Sequence, residues 1–194
     1  MRMFLRRSAV GREPLAVTMS GVRLGERALQ IGLNDPLIAS MLAAKPGLSG
    51  HSAIVVPDEA SAERAKSVAA RSGAFVEIKV SSLEHLPFED GAFDVAVIHN
   101  RTDLLTTLGA ARRARILGEC QRVLRVGGRV IVLETGTPSG LGAIFRSRTA
   151  PSEESGGSNA TTRGLEAAGF RAVRTLGDRD NYRFIEGMKV ERGR

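Results

Sequence analysis

LPFEDGAFDVAVIHN, residues 86–100, and ECQRVLRVGGRVIVLE, residues 119–134, are the two stretches that decide the fold. In the first, a Pro-, Gly- and acid-containing turn gives way to FDVAVIHN (93–100), a nearly continuous apolar run. That is the pattern of a strand buried on both faces. In the second, Gly127-Gly128 turns the chain into RVIVLE (129–134), which repeats the pattern. Between them a helix is predicted from about Asp103 to Arg125, with Leu105, Leu108, Ile116, Cys120, Val123 and Leu124 on its inner side. Strand, helix and strand in this succession make the building unit of an α/β protein.

The same alternation runs upstream. RALQIG (27–32) reads as the first strand. Asp35-Pro36 is a helix start, an acceptor at the N-cap followed by a proline suited to the first helical position. PLIASMLAAK then continues to a stop near Lys45-Pro46-Gly47. HSAIVV (51–56) is the second strand, DEASAERAKSVAARSG (58–73) a helix closed by its glycine, and AFVEIKV (74–80) the third strand. Downstream, residues 135–157 are rich in Gly, Ser and Pro and read as a long mobile loop. A short helix over about 159–168 leads to FRAVRTLG and YRFIEGMKV, which the GDRDN turn makes an antiparallel hairpin.

In this order and at this separation, the 86–100 and 119–134 stretches closely resemble the class I methyltransferase family. The likeness is greatest to its small-molecule branch, which includes enzymes of quinone biosynthesis. In that family "LPF–DGSFD" leads into the fourth strand and "E–RVL–PGG" into the fifth; here Val126 replaces the proline. The resemblance covers about 26–190. It implies a Rossmann-like, doubly wound, seven-stranded and mostly parallel sheet ending in an antiparallel β-hairpin. It also implies S-adenosylmethionine as cofactor, laid across the carboxyl ends of the central strands. The chain then divides into a basic amino-terminal segment, 1–25, packing on the domain, and a methyltransferase-like domain, 26–194.

The cofactor motifs of that family are eroded here. Its acidic-x-Gly-x-Gly-x-Gly pattern falls on Gln30-Ile31-Gly32-Leu33-Asn34-Asp35-Pro36, and only Gly32 is kept. Asn34 is a residue that tolerates the positive φ of a lost glycine. Pro36 has no N–H to offer, and Asp35 places a negative charge where a methionine carboxylate would approach the helix start. Gln30 gives up the charge that usually meets the methionine ammonium. After the second strand, Val56 stands where the ribose-binding acid is expected, and Asp58 two residues later is its substitute. Ser82 aligns with the family's Asp before "LPF", with Leu83 beside it. The resemblance thus assigns Gly32, Asn34, Asp58, Ser82 and Leu83 to the cofactor. At about 1.5–3 kcal/mol for each charge-assisted contact, three losses weaken binding by several powers of ten.

Methyl transfer needs little chemistry from the protein beyond alignment and exclusion of water. A base is wanted only where the acceptor must lose a proton, and the place for it is just after the fourth strand, at His99, Asn100 and Asp103. His99 is the candidate, because its ordinary pKa lies near neutrality; a hydrogen-bonded histidine closing the strand is the alternative. His85 is read as a surface loop residue.

The 194 residues carry a net charge of +7, unevenly spread. Residues 1–25 hold five Arg against one Glu, and residues 101–129 seven Arg against two acids. Arg112, Arg115, Arg122 and Arg125 recur at helical spacing, as a phosphate-tracking face or a solvated one would. The single Tyr, the absence of Trp and an aromatic fraction of 4% argue against a single-stranded nucleic-acid platform. One cysteine, Cys120, and three scattered histidines leave no metal-ligand spacing. No apolar run reaches the roughly 18 residues of a membrane span, and no signal-peptide core is present, so the chain reads as cytoplasmic.

Two function classes remain. One is an S-adenosylmethionine-dependent methyltransferase acting on a small molecule. The other is a catalytically silent methyltransferase-fold subunit that binds or scaffolds, with RNA or a protein as partner. A nicotinamide-dependent oxidoreductase fits poorly, because Asn34 and Pro36 replace the glycines of its phosphate-binding turn.

Overall fold

The computed structural model describes residues 13–101, 104–105, 109–136 and 155–191. The expected basic segment as far as Arg12, most of the expected loop (137–154), Asp103 and Leu108 lie outside the described residues. The elements follow in chain order as α1 (Leu15–Met19), β1 (Arg27–Ile31), α2 (Pro36–Ala44), β2 (His51–Val56), α3 (Glu59–Ser72) and β3 (Val76–Val80). Next come β4 (Phe93–Asn100), α4 (Ala110–Val123), β5 (Leu124–Thr135), α5 (Ser155–Ala167), β6 (Arg171–Arg179) and β7 (Tyr182–Met188). The seven strands form one sheet in the order β3-β2-β1-β4-β5-β7-β6. Strands β1 to β5 pair in parallel, and β7 runs antiparallel to both β5 and β6. This is the doubly wound sheet with a terminal hairpin that the sequence implies.

Local chemistry sets the element ends. Asp35 caps α2, its Oδ1 accepting from the amides of Leu37 and Ile38 at 3.0 and 3.2 Å, with Pro36 in the first turn. Asp58 caps α3 through the Ser61 amide at 2.7 Å, and Gly73 ends it at φ +65°. Asp180 and Asn181, at φ 54° and 63°, form the two-residue left-handed turn that matches hairpin twist.

Alternation along each strand sorts the side chains between two faces. On one face, Leu29, Ile31, Ala96, Ile98, Val130 and Val132 pack beneath Ile116, Leu117 and Cys120 of α4 and Leu165 of α5. On the other, Ala28, Val95, Val97, Ile131, Leu133 and Phe184 meet Ala16 and Val17 of α1 and Ile38 and Leu42 of α2. The apolar stretch before β1 is therefore part of the core, on the α2 side of the sheet. Next to it Ile54 and Val56 pack under Ala62, Ala65 and Val68 of α3. Cys120 belongs to the first of these clusters, fully buried, and burial pushes its thiol up to about 12.

The two sequence stretches that decide the fold are one hydrogen-bonded unit. Glu119 accepts from the Leu86 amide at 2.8 Å, while Arg122 donates to the carbonyls of Leu86 and Phe88 at 2.9 and 2.7 Å. Arg122 also pairs with Glu119 at 2.7 Å and Asp90 at 2.8 Å. Asp94 accepts from the Arg27 amide at 2.7 Å and pairs with Arg125, which fastens β4 to the start of β1.

Three boundaries differ from the sequence expectation by four residues or more. α4 starts at Ala110 rather than near Asp103: Gly109 is its N-cap, at ψ 157°, and Leu104 and Leu105 lie in a turn. The Leu105 amide is taken by Asn100 Oδ1 at 2.7 Å, a local side-chain bond that competes with helix. β5 begins at Leu124, not Arg129, because Leu124 already pairs with Phe93 before a register shift brings Arg129 opposite Val95. Gly128 sits at that shift, where an added Cβ would lie 2.8 Å from the Arg125 carbonyl oxygen. α5 starts at Ser155, four residues before the expected position.

Candidate functional site

The parallel strands β1, β2, β3 and β4 all present their carboxyl ends to one edge, and the sheet order changes direction between β1 and β4. That switch point is where an α/β sheet opens a crevice for ligands. Gly32 leaves β1 there at φ +74°, a conformation that favours glycine. An added Cβ would lie 3.4 Å from Leu104 Cδ2 and 3.7 Å from the His99 carbonyl oxygen, so the turns after β1 and β4 lean closely together. Leu33 packs into the core beside Ile54 and Val56, while Pro36 and Leu37 are exposed.

Asn34 does not mimic the missing glycine; it is not among the residues at positive φ. Its side chain is used differently: Oδ1 accepts from the Arg101 amide at 3.1 Å and ties the β1 turn to the end of β4. Asp58 is exposed just past β2, and the Ser61 amide holds its carboxyl below the usual carboxylate range. Ser82 is exposed after β3, its Oγ accepting from the Glu84 amide at 3.3 Å, and Leu83 beside it is buried in the main core. Gly32, Asn34, Asp58 and Ser82 thus stand at one edge, on successive strand ends.

Gln30 and His99 lie below that edge, on the α2 face. Gln30 is 1% exposed; its Nε2 donates to the Ala39 carbonyl at 3.0 Å, which turns Oε1 toward His99 Nε2 at 2.9 Å. With the amide so oriented, Nε2 of His99 carries the proton and donates it. The ring is 2% exposed, and burial pushes its pKa down to about 4 against a smaller raising effect of Asp35. His99 closes the strand as a buried, hydrogen-bonded histidine. On the opposite face, Glu134 is also buried and accepts from Asn100 Nδ2 at 2.9 Å and from Thr161 Oγ1 at 2.5 Å.

Arg101 and Tyr182 were not legible as site residues. The Arg101 guanidinium lies 4.4 Å from the centroid of the Tyr182 ring, and its Nη1 donates to the Tyr182 hydroxyl at 3.0 Å. That hydroxyl donates in turn to Asp35 Oδ2 at 3.3 Å. The Arg101 carbonyl accepts from Thr135 Oγ1 at 3.0 Å. The only available signal was position, Arg101 being the first residue after β4; its partner comes from β7, 81 residues away.

The four arginines at helical spacing, three on α4 and Arg125 in β5, face carboxylates of this chain: Arg112 and Arg115 pair with Glu84, Arg122 with Glu119 and Asp90, and Arg125 with Asp94. Among the described residues no helix is long and apolar enough to cross a membrane.

Comparison with known proteins agrees with this geometry. Residues 29–132, from β1 into β5, match the family model described as a methyltransferase domain. A ubiquinone/menaquinone biosynthesis C-methyltransferase, UbiE of Geobacter sp. (strain M21), is 29% identical over 115 residues. The match takes in 59% of this chain and 43% of that enzyme. Among solved structures, a SAM-dependent methyltransferase from Aquifex aeolicus superposes with a TM-score of 0.69 at 18% identity, over 90% of this chain and 87% of that one. PigF, solved with SAH, superposes at 0.60 and 19% identity, over 85% and 51%. The sheet order, the switch-point turn and a family match spanning more than half of the residues agree, and the chain belongs to the methyltransferase-domain family.

Proposed function

We propose that this protein binds S-adenosylmethionine at the β1–β4 switch point and transfers its methyl group to a small-molecule acceptor. The observation that carries the proposal is the placement of Gly32, Asp58 and Ser82. A left-handed glycine turn, an ionised exposed carboxylate and an exposed hydroxyl follow β1, β2 and β3 along one edge. In that order they suit, respectively, close backbone approach, the ribose hydroxyls and the adenine of a nucleoside ligand. Leu83 is the apolar neighbour of the base, and Asn34 holds the turn that receives the amino-acid end. Bound here, the sulfonium supplies an already activated methyl group. The chain's part is to orient donor and acceptor and to keep water out.

His99 serves this site by position. Neutral and bonded to Gln30, it ties the end of β4 to β1 beneath the ligand rather than touching an acceptor. The likeness to UbiE, a C-methyltransferase of ubiquinone/menaquinone biosynthesis, favours a small organic acceptor. A cytoplasmic reaction is part of the proposal.

A second reading has an observation of its own. Asp35 occupies the first free amides of α2 and Pro36 removes another, so this helix start offers a ligand little. A binding or scaffold subunit with no methyl donor is the alternative.

Calorimetric titration with S-adenosylmethionine and S-adenosylhomocysteine separates the two. We expect micromolar binding of both. Asp58→Asn keeps the helix cap and removes the charge, and should weaken S-adenosylhomocysteine by roughly 10-fold while leaving the melting temperature unchanged. No heat up to millimolar ligand overturns the enzyme and leaves the scaffold.

A further inference from the structure

Arg101 is held in place far more firmly than an ordinary surface arginine. Its amide is bound by Asn34 from the β1 turn and its carbonyl by Thr135 at the end of β5. Its guanidinium is stacked on Tyr182. Backbone and side chain are therefore fixed by residues from three strand ends. Yet the partner of this cation is a neutral phenol. Burial raises the Tyr182 pKa, more than Arg101 lowers it, which keeps the hydroxyl protonated. Among the described residues, Arg101 has no carboxylate within ion-pairing distance, whereas Arg122, Arg125, Arg129 and Arg183 each do. A guanidinium has five N–H donors in a planar fork, and one is used on the tyrosine. The remainder suit a planar anion bound in bidentate fashion.

The anion has a natural identity on the S-adenosylmethionine reading, on which this inference rests. The amino-acid end of the donor belongs at the β1 turn, but the start of α2 is capped by Asp35 and begins with Pro36. Asp35 itself repels a carboxylate. The cation nearest that turn along the hydrogen-bond network is Arg101, joined to Asn34 directly and to Asp35 through Tyr182. We propose that Arg101 is the anchor for the α-carboxylate of the methyl donor, replacing the amides of the α2 start, with Tyr182 holding the guanidinium until the ligand arrives. The network then passes its charge-assisted bond from a phenol to a carboxylate, while Asn34 and Thr135 keep the backbone still.

The test uses a ligand pair differing only in the anion: S-adenosylhomocysteine and decarboxylated S-adenosylhomocysteine, which keeps the amine. Wild-type protein should favour the carboxylate form, and Arg101→Met should weaken that form by about 10–100-fold while leaving the decarboxylated ligand nearly unchanged. Arg101→Lys should fall between, since it keeps charge and loses the fork. Tyr182 is the only tyrosine in a chain without tryptophan, so its emission reports on the same event. It should change on adding S-adenosylhomocysteine and stay level with the decarboxylated ligand, whose adenine absorbs equally. Should Arg101→Met fail to fold, Tyr182→Phe carries the test, and it should bind the carboxylate ligand at least as tightly as wild type. An equal effect of Arg101→Met on both ligands, or on neither, overturns the anchor and leaves the methyltransferase standing. Failure of wild type to bind either ligand instead overturns the function on which the anchor rests.

Discussion

His99 carries a pH signature that can be read in the stability of the protein. Its folded pKa, about 4, lies below the ordinary 6.5, so between those values the unfolded chain binds a proton that the folded one refuses. Stability is full above pH 6.5 and is lost as pH falls toward 4, by on the order of 3 kcal/mol. The lowered carboxyls of Glu26 and Glu119 withdraw their support only below their ordinary 4.5, beneath most of this window. Denaturant titrations at pH 7 and pH 5 should therefore differ clearly in wild type and much less in His99→Gln; equal losses in both would assign the effect elsewhere. At this scale the sequence was legible where chemistry is local. Asp35, Pro36 and Asp58 cap as their types dictate, and Gly32 turns as only glycine readily does. It was illegible where the partner is remote. Nothing near Asn34 announces the Arg101 amide, and nothing near Gln30 announces His99, 69 residues away.

Among the elements, α4 is fastened to the segment before β4 by Glu119, Arg112, Arg115 and, with the most bonds, Arg122. Arg122 is 29% exposed and satisfies two backbone carbonyls and two carboxylates at once. Arg122→Met would leave Glu119 partly buried without its cation, and should destabilise the fold by about 2–3 kcal/mol in urea denaturation. Arg125, 54% exposed, makes the comparison: its truncation should cost under about 1 kcal/mol. Comparable losses for the two would mean that the Arg122 bonds are not the fastening. The strands and the hairpin were legible because period and turn chemistry coincide in them. The start of α4 was not, because apolar Leu104 and Leu105 continue a helical pattern while Asn100 draws the Leu105 amide into a turn.

For the molecule as a whole, a donor bound as proposed across β1, β2, β3 and β4 would join strands whose helices occupy both faces of the sheet. Ligand at about 100 times its Kd should add about 2.7 kcal/mol, raising the melting temperature by roughly 5–10 °C. Differential scanning with and without S-adenosylhomocysteine measures this, and an unshifted transition at saturating ligand would contradict binding to the folded state. The fold class was legible at this scale because the two deciding stretches build one hydrogen-bonded unit and so occur together. The candidate site was less so, because the hydrogen bonds that shape it, Asn34 with Arg101 and Arg101 with Tyr182, join distant strand ends.

The order β5-β7-β6 also bears on how the chain reaches this state. β7 enters between two strands that precede it, and it brings Phe184 and Ile185 into cores on opposite faces. Until residues 182–188 leave the ribosome, β5 has an open edge and both cores lack a wall. Completion of both cores must wait for that insertion, and a chain stalled or clipped before Tyr182 would display a sticky β5 edge to its neighbours.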